Sequence, residues 1–299
     1  MSQHIVPALA GRDIRCILFD LGNTLWMYKN NTTRLAQEQV AQQQAIALLH
    51  QHVNSHLFPF INDKTFTDQF FEAIEQHMYA SRSNMKDVPD IIVAVVTALQ
   101  TLGFPSVARS VAEEVYEILR DSIPGTRTLF EDTLTTLTTL QERGFLLNIV
   151  SNRFHGGELF REGMREVGLQ TYFDPQKIAI SIDLGSSKPD AYMFQYALNA
   201  LDIAPEEAVM VGDLLGADVV GAKRLNIASV WKPIPRLFAQ ARAIQKQEPP
   251  LQSLESILLR LGRENEQKRG RPIPEDIVPD LIIEHLRELL DVFVEVGHY

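Results

Sequence analysis

Short runs of apolar and β-branched residues alternate with longer amphipathic stretches along most of this chain. Ile14 to Phe19 runs into Asp20, Phe145 to Val150 runs into Ser151, and three further runs span Lys177 to Ile182, Ala208 to Gly212 and Asn226 to Trp231. This alternation is the pattern of a parallel sheet covered by helices, because strands buried on both faces are apolar throughout. The stretches between them carry readable helix ends. Asp132 is placed to cap a helix whose Leu134, Leu137 and Leu140 recur at helical spacing, with Gly144 to end it. Gly156 to Gly168 reads as a second helix. Pro189 suits the first position of a third that runs to Leu201, and Asn226 can take the left-handed turn after a helix around Leu214 to Leu225.

One interval breaks the rhythm. About 100 residues separate the first strand from the second, and they read almost wholly as helix, over roughly 33–55, 65–82, 89–102 and 106–121. Residues 28–126 are therefore expected to form an inserted all-helical domain, with 1–27 and 127–299 making up the core. His50, His52, His56 and His77 fall in the insertion, but 50, 52 and 56 do not share one helical face, so ordinary solvated or half-buried histidines are expected rather than a metal cluster. A second, late insertion is expected at about 233–274. It holds an apolar helix, Leu251 to Gly262, that could serve dimerisation or cover the sheet edge but is expected to pack into the core, followed by a charged segment, Arg263 to Pro272, that reads as a mobile linker. After it come a short final strand and a packing helix.

Composition narrows the function classes. The 299 residues, 45% hydrophobic and 22% charged, describe an ordinary globular chain. A formal net charge of -10 argues against nucleic acid as a partner, since phosphate-backbone binding needs clustered Lys and Arg; an anionic substrate must be met by local positive charge. The single cysteine, Cys16, excludes an internal disulfide and a multi-cysteine metal site, fits a reducing compartment, and reads as core. No basic segment followed by a long apolar run opens the chain, and no stretch approaches about 18 uninterrupted apolar residues. The expectation is a cytoplasmic protein with no membrane partner.

Four groups of polar residues follow the apolar runs. Asp20-Leu21-Gly22-Asn23-Thr24 sets a carboxylate and a tight turn at the carboxyl end of a strand, where open α/β sheets bind ligands. Ser151-Asn152 offers a hydroxyl and an amide for phosphate oxygens. Lys188, just before a helix, could converge on one anion together with the helix's free backbone amides. Asp213 and Asp218, in Gly212-Asp213-Leu214-Leu215-Gly216-Ala217-Asp218, suit a hard cation that takes oxygen ligands. Each group alone is also explained as a turn, a cap or a solvated charge.

Together and in this order they resemble the haloacid dehalogenase superfamily, whose pattern runs Asp-x-Asp-x-Thr, then Ser or Thr, then Lys, then Gly-Asp-x-x-x-x-Asp. The match covers roughly residues 12–27 and 127–232. The resemblance implies an α/β, Rossmann-like parallel-sheet core with an inserted helical cap, and an active site between the two. It implies Asp20 as the nucleophile that accepts a phosphoryl group from a small phosphorylated substrate, with Ser151 on a phosphoryl oxygen and Lys188 neutralising charge. It also implies Mg²⁺ held by Asp20, the Gly22 carbonyl and Asp213, with Asp218 beside them, and Asn23, Thr24 and Asn152 as substrate-binding residues.

The chain departs from the pattern at Gly22, where the family's phosphatases carry a second Asp that protonates the leaving oxygen. A backbone carbonyl for the metal survives this change; the general acid does not. A cap residue, the substrate itself or ordered water could take its place, and His155 is one nearby candidate that also reads as a loop residue. Dehalogenases of the family also lack the second Asp, but they work without metal and do not need Asp213 and Asp218. The phosphonate-cleaving branch uses a cap lysine, for which Lys29, Lys64 and Lys86 are available. A descendant that binds a phosphorylated ligand or a protein partner without turnover is the remaining reading.

Overall fold

In a computed structural model the described residues are 9, 11–28, 31–52, 64–83, 90–104, 107–121, 127–153, 156–247 and 252–296. The chain divides into two compact units, Met1–Met27 with Leu129–Tyr299, and Tyr28–Thr128. The strands, in chain order, are β1 (Cys16–Phe19), β2 (Trp26–Tyr28), β3 (Arg127–Leu129), β4 (Leu146–Ser151), β5 (Ala179–Ile180), β6 (Ala208–Gly212), β7 (Ala228–Trp231) and β8 (Leu281–Ile282).

Six of them form one sheet in the order β5-β4-β1-β6-β7-β8, and every neighbouring pair is parallel. β2 and β3 form a separate two-stranded sheet. Alternate residues of the large sheet enter two cores: Ile17, Phe19, Ile149, Val209, Val211 and Val230 on one face, Cys16, Leu18, Val150, Ala208 and Met210 on the other. Each of the Val, Leu, Ile, Phe and Met side chains among them contributes roughly 1.5–3 kcal/mol of burial, and a slip of one residue would exchange the faces, so the register is firmly set. Cys16 is buried as expected, and burial pushes its thiol up to about 12, which leaves it unreactive. The register pairs Phe19 with Ile149 on one side and Val211 on the other, so Asp20, Ser151 and Asp213 emerge at one carboxyl edge of the sheet within a residue of each other.

The helices follow the sequence pattern with several corrections. The run from Lys177 to Ile182 is strand only at Ala179–Ile180 and then turns into a short helix, Ser181–Leu184. The buried Ser181 hydroxyl explains the turn: it accepts from Arg153 N at 2.8 Å and donates to Arg153 O at 2.9 Å, an alternative to the strand ladder. Asp132 takes the expected N-cap position of helix Thr133–Glu142, but its carboxylate makes no capping hydrogen bond and accepts from Arg287 N at 3.0 Å instead. Pro189 is not the first residue of its helix. That helix spans Ala191–Asn199 and is capped by Asp190, which accepts from Tyr192 N at 2.8 Å. Gly144 and Asn226 take the expected left-handed turns, at φ 89° and 60°.

In the second unit, helices Asn31–His52, Lys64–Ser83, Ile91–Thr101 and Arg109–Asp121 bury Leu49, Phe70, Val95, Leu99 and Val115. His50 and His77 are half-buried, His52 is exposed beside Glu114, and His56 lies outside the described residues. Among the described residues no histidine joins a group that could hold a metal, and no helix is long and apolar enough to cross a membrane.

The late segment holds two helices, Pro235–Gln247 and Leu254–Lys268. The second runs through most of the segment read as a mobile linker. Its charged end is ordered because Glu266 is buried and paired with Arg269 and Arg271. Ile257, Leu258 and Leu261 pack on Leu215, Trp231, Leu237 and Phe238, as the core-packing expectation required. The short final strand, β8, and a helical turn, Leu289–Val292, follow.

Candidate active site

Four strand ends bring the site together. Asp20 follows β1, is 9% exposed, and accepts through Oδ1 from the Ser151 hydroxyl at 3.0 Å and from Lys188 Nζ at 2.7 Å. Among the described residues its Oδ2 accepts no hydrogen bond, so one oxygen is fixed and the other is open. Lys188, 4% exposed, reaches a second carboxylate, Asp218 Oδ1, at 2.6 Å. Burial alone would lower the lysine's pKa, but Asp20 and Asp218 outweigh it and the net direction is up. Lys188 is therefore a buried permanent cation between two carboxylates.

The acidic loop after β6 folds tightly against this pair. Asp218 Oδ2 accepts from Leu214 N at 2.9 Å, so both its oxygens are engaged and it orients Lys188 more directly than it faces a cation. Gly212 is required here, because a Cβ at that position would lie 2.2 Å from the Asp218 carboxyl carbon. Asp213 accepts from Asn23 Nδ2 at 3.2 Å.

Ligand oxygens of Asp20, Asp213 and Asp218 all lie within 4.8 Å of one another. Burial first, then the charges of Asp20 and Asp218, drive Asp213 well above the ordinary carboxylate range, and burial raises Asp218 to about 6. Three carboxylates around one ammonium leave the site short of positive charge. An all-oxygen donor set with surplus negative charge fits a hard divalent cation.

Several expected substrate-binding residues have other engagements. Asn152 brackets the Lys188 backbone, donating to its carbonyl at 3.0 Å and accepting from its N–H at 2.7 Å, so it holds the lysine in place. Asn23, at φ 57°, braces Asp213. Thr24 is fully buried, and its hydroxyl has no hydrogen-bond partner among the described residues. The helix after Lys188 is stoppered by Asp190, so its amides do not converge with the ammonium on an anion. Lys64 is exposed on its helix, while His155, Lys29 and Lys86 lie outside the described residues. Gly22 is half-buried, and a Cβ there would meet nothing within 4 Å, so packing does not demand glycine.

Two residues at the end of β7 escaped the sequence reading. Trp231 donates its indole N–H to the Asp213 carbonyl at 2.9 Å. Lys232, 1% exposed, donates from Nζ to the Asn23 carbonyl at 3.2 Å and lies 3.6 Å from the centroid of the Phe130 ring. Burial lowers it to about 8, against the opposing pull of Asp132, Asp213, Glu284 and Glu288. The signal was available: a polar residue directly after an apolar strand, as at Asp20, Ser151 and Asp213.

A family model described as haloacid dehalogenase-like hydrolase matches residues 14–226. The chain is 28% identical over 230 residues to a glyceraldehyde 3-phosphate phosphatase of Pyrococcus furiosus, an alignment covering 74% of this chain and 81% of that one. Among solved structures, a HAD phosphatase from Thermococcus onnurineus superposes with a TM-score of 0.52 at 21% identity, over 93% of this chain and 96% of that one. A 2-haloacid dehalogenase from Pseudomonas syringae pv. Tomato DC3000 does so with a TM-score of 0.59 at 20% identity, over 94% and 98%. At these identities the two structures show a shared fold.

Proposed function

The chain belongs to the haloacid dehalogenase-like hydrolases, and from that premise we propose that it is a Mg²⁺-dependent phosphatase acting on a small phosphate monoester through a phosphoryl group carried on Asp20. The observation that carries this reading is the state of the Asp20 carboxylate. One oxygen is held by Ser151 and Lys188, the other is open, and the Asp20 carboxylate has an oxygen within 4.8 Å of one from Asp213.

In this reading Asp20 Oδ2 attacks phosphorus, the bond from phosphorus to the ester oxygen breaks, and the leaving oxygen takes a proton from solvent water, since Gly22 offers none. Water then attacks the acyl phosphate, releasing inorganic phosphate and restoring the carboxylate. Lys188 offsets charge on the phosphoryl oxygens without losing its proton, and with substrate bound the Ser151 hydroxyl turns its one proton from Asp20 Oδ1 to a phosphoryl oxygen. Asp20, the Gly22 carbonyl and Asp213 would hold the cation, while Asp218 and Asn152 keep Lys188 in place and Asn23 keeps Asp213 in place. Bound Mg²⁺ would offset the repulsion between an attacking carboxylate and a phosphate dianion.

The helical unit Tyr28–Thr128 takes the part of the cap that selects the substrate. Two features favour phosphate over halide as the leaving chemistry: the Asp213–Asp218 pair, and a relative named as a phosphatase. Gly22 favours a second reading, in which the same site binds a phosphorylated ligand without turning it over. Hydrolysis of an activated aryl phosphate separates them. The phosphatase reading expects turnover with Mg²⁺ that is abolished by a chelator and by Asp20→Asn. Undiminished turnover in chelator would remove the metal from the mechanism, and no turnover on aryl phosphates or a panel of phosphorylated metabolites would favour the binding protein.

A further inference from the structure

Asp213 shares a cluster with Asp20 and Asp218, and three interactions from outside the acidic loop hold it. Its side chain accepts from Asn23 at 3.2 Å, its backbone carbonyl accepts from the Trp231 indole at 2.9 Å, and Lys232 fixes Asn23 from behind through the Asn23 carbonyl. The last two donors are consecutive residues beyond the end of the family match at residue 226. β7 also holds the base of the loop, since Lys232 N donates to Gly212 O at 2.9 Å. The indole is fixed in turn by helix Leu254–Lys268: a Cβ at Gly262 would come 2.6 Å from its Cη2 atom, so only glycine lets the helix approach this closely.

Lys232 is an unusual group to bury. Among the described residues it has no carboxylate within ion-pair distance, and its charge is balanced only at longer range by Asp132, Asp213, Glu284 and Glu288. A buried ammonium whose nearest acceptor is the carbonyl of the residue after Gly22 is placed to fix that turn.

We infer that Trp231 and Lys232 are positioning residues for the divalent-cation site, holding Asp213 and the Gly22–Asn23 turn in the arrangement a cation takes up. This rests on the Mg²⁺ reading above. Groups that orient metal ligands without touching the metal typically contribute 10- to 100-fold to metal affinity.

The test is Mg²⁺ binding by the full chain without substrate, measured by titration calorimetry, with the far-ultraviolet circular dichroism of each variant checked against wild type. Trp231→Phe keeps an aromatic ring, smaller than the indole, and removes the N–H; it is expected to weaken Mg²⁺ binding about tenfold. Lys232→Met gives a test of opposite signs. If Lys232 supplied only charge, removing a cation near the site would tighten Mg²⁺ binding; if it positions Asn23, binding weakens. Weaker binding in both variants is the expected result. Wild-type affinity in Trp231→Phe, or unchanged or tighter binding in Lys232→Met, overturns the inference. If wild-type protein binds no Mg²⁺, or Asp213→Asn binds it equally well, the Mg²⁺ reading itself fails.

Discussion

Gly22→Asp would put a carboxyl group two residues past Asp20, at a position where the structure offers open space. A Cβ there meets nothing within 4 Å, and Gly22 is not among the residues with positive φ, so the substitution carries no evident strain. The new group would join a neighbourhood that already holds Asp20, Asp213 and Asp218. Like charges raise its pKa toward the protonated form, which is the form that can donate a proton to a leaving oxygen. General acid assistance contributes about 10²- to 10⁴-fold, or roughly 3–5 kcal/mol of barrier at 1.36 kcal/mol per tenfold. The gain should fall on poor leaving groups. Steady-state kinetics with Mg²⁺ on a matched alkyl and aryl phosphate should show kcat/KM rising by about 10² or more for the alkyl ester, with a much smaller change for the aryl ester, whose leaving group needs little protonation. Equal changes in both classes, in a variant that still binds Mg²⁺, would refute the argument that proton delivery is what Gly22 removes.

Three further outcomes follow from the buried charges. Lys188→Met strands Asp20 and Asp218 without their shared cation, so urea unfolding in chelator at pH 7 should show a loss of about 3–5 kcal/mol, together with lost activity. Mg²⁺ at 100 times its Kd should stabilise the wild type by about 2.7 kcal/mol and leave Asp213→Asn unmoved, measured by thermal unfolding with and without chelator. Lys232 has a folded-state pKa of about 8 against 10.5 in the unfolded chain, so below pH 8 its burial opposes folding by on the order of 3 kcal/mol. The folded state holds fewer protons than the unfolded one between pH 8 and 10.5, so wild-type stability should rise across that window. Lys232→Met should gain stability over wild type at pH 7 and lose that advantage by about pH 10.5, by urea unfolding in chelator.

The sheet and most of the site were legible because both rest on one local pattern, an apolar run ending in a polar residue at the carboxyl edge. Asp20, Ser151 and Asp213 all carry that mark, and the parallel register brings them level. Lys232 carries it too, but Pro233 and Pro235 follow and drew attention to a chain break. What the residues touch was harder to read. Asn152 and Asn23 sit in the right motifs, yet their amides reach Lys188 and Asp213 across sequence separations of 36 and 190 residues, which no local pattern encodes. Local competition explains the one misplaced helix start, since Asp190 caps better than Pro189 begins, and it draws the Asp132 carboxylate to Arg287 N while its helix still starts at Thr133. The segment Arg263 to Pro272 looked like a linker because it is charged. Burial of Glu266 with its two arginines turns most of that charge into the end of a packed helix.

The central claim is that Asp20 carries the phosphoryl group, and the most direct measurement is to trap it there. Protein mixed with an activated aryl phosphate and Mg²⁺, quenched in acid within a single turnover and digested, should yield the peptide containing Asp20 with the added mass of one phosphoryl group, and Asp20→Asn or chelator should remove it. Turnover without that modified peptide at any quench time, or with the phosphoryl group on another residue, would contradict the account.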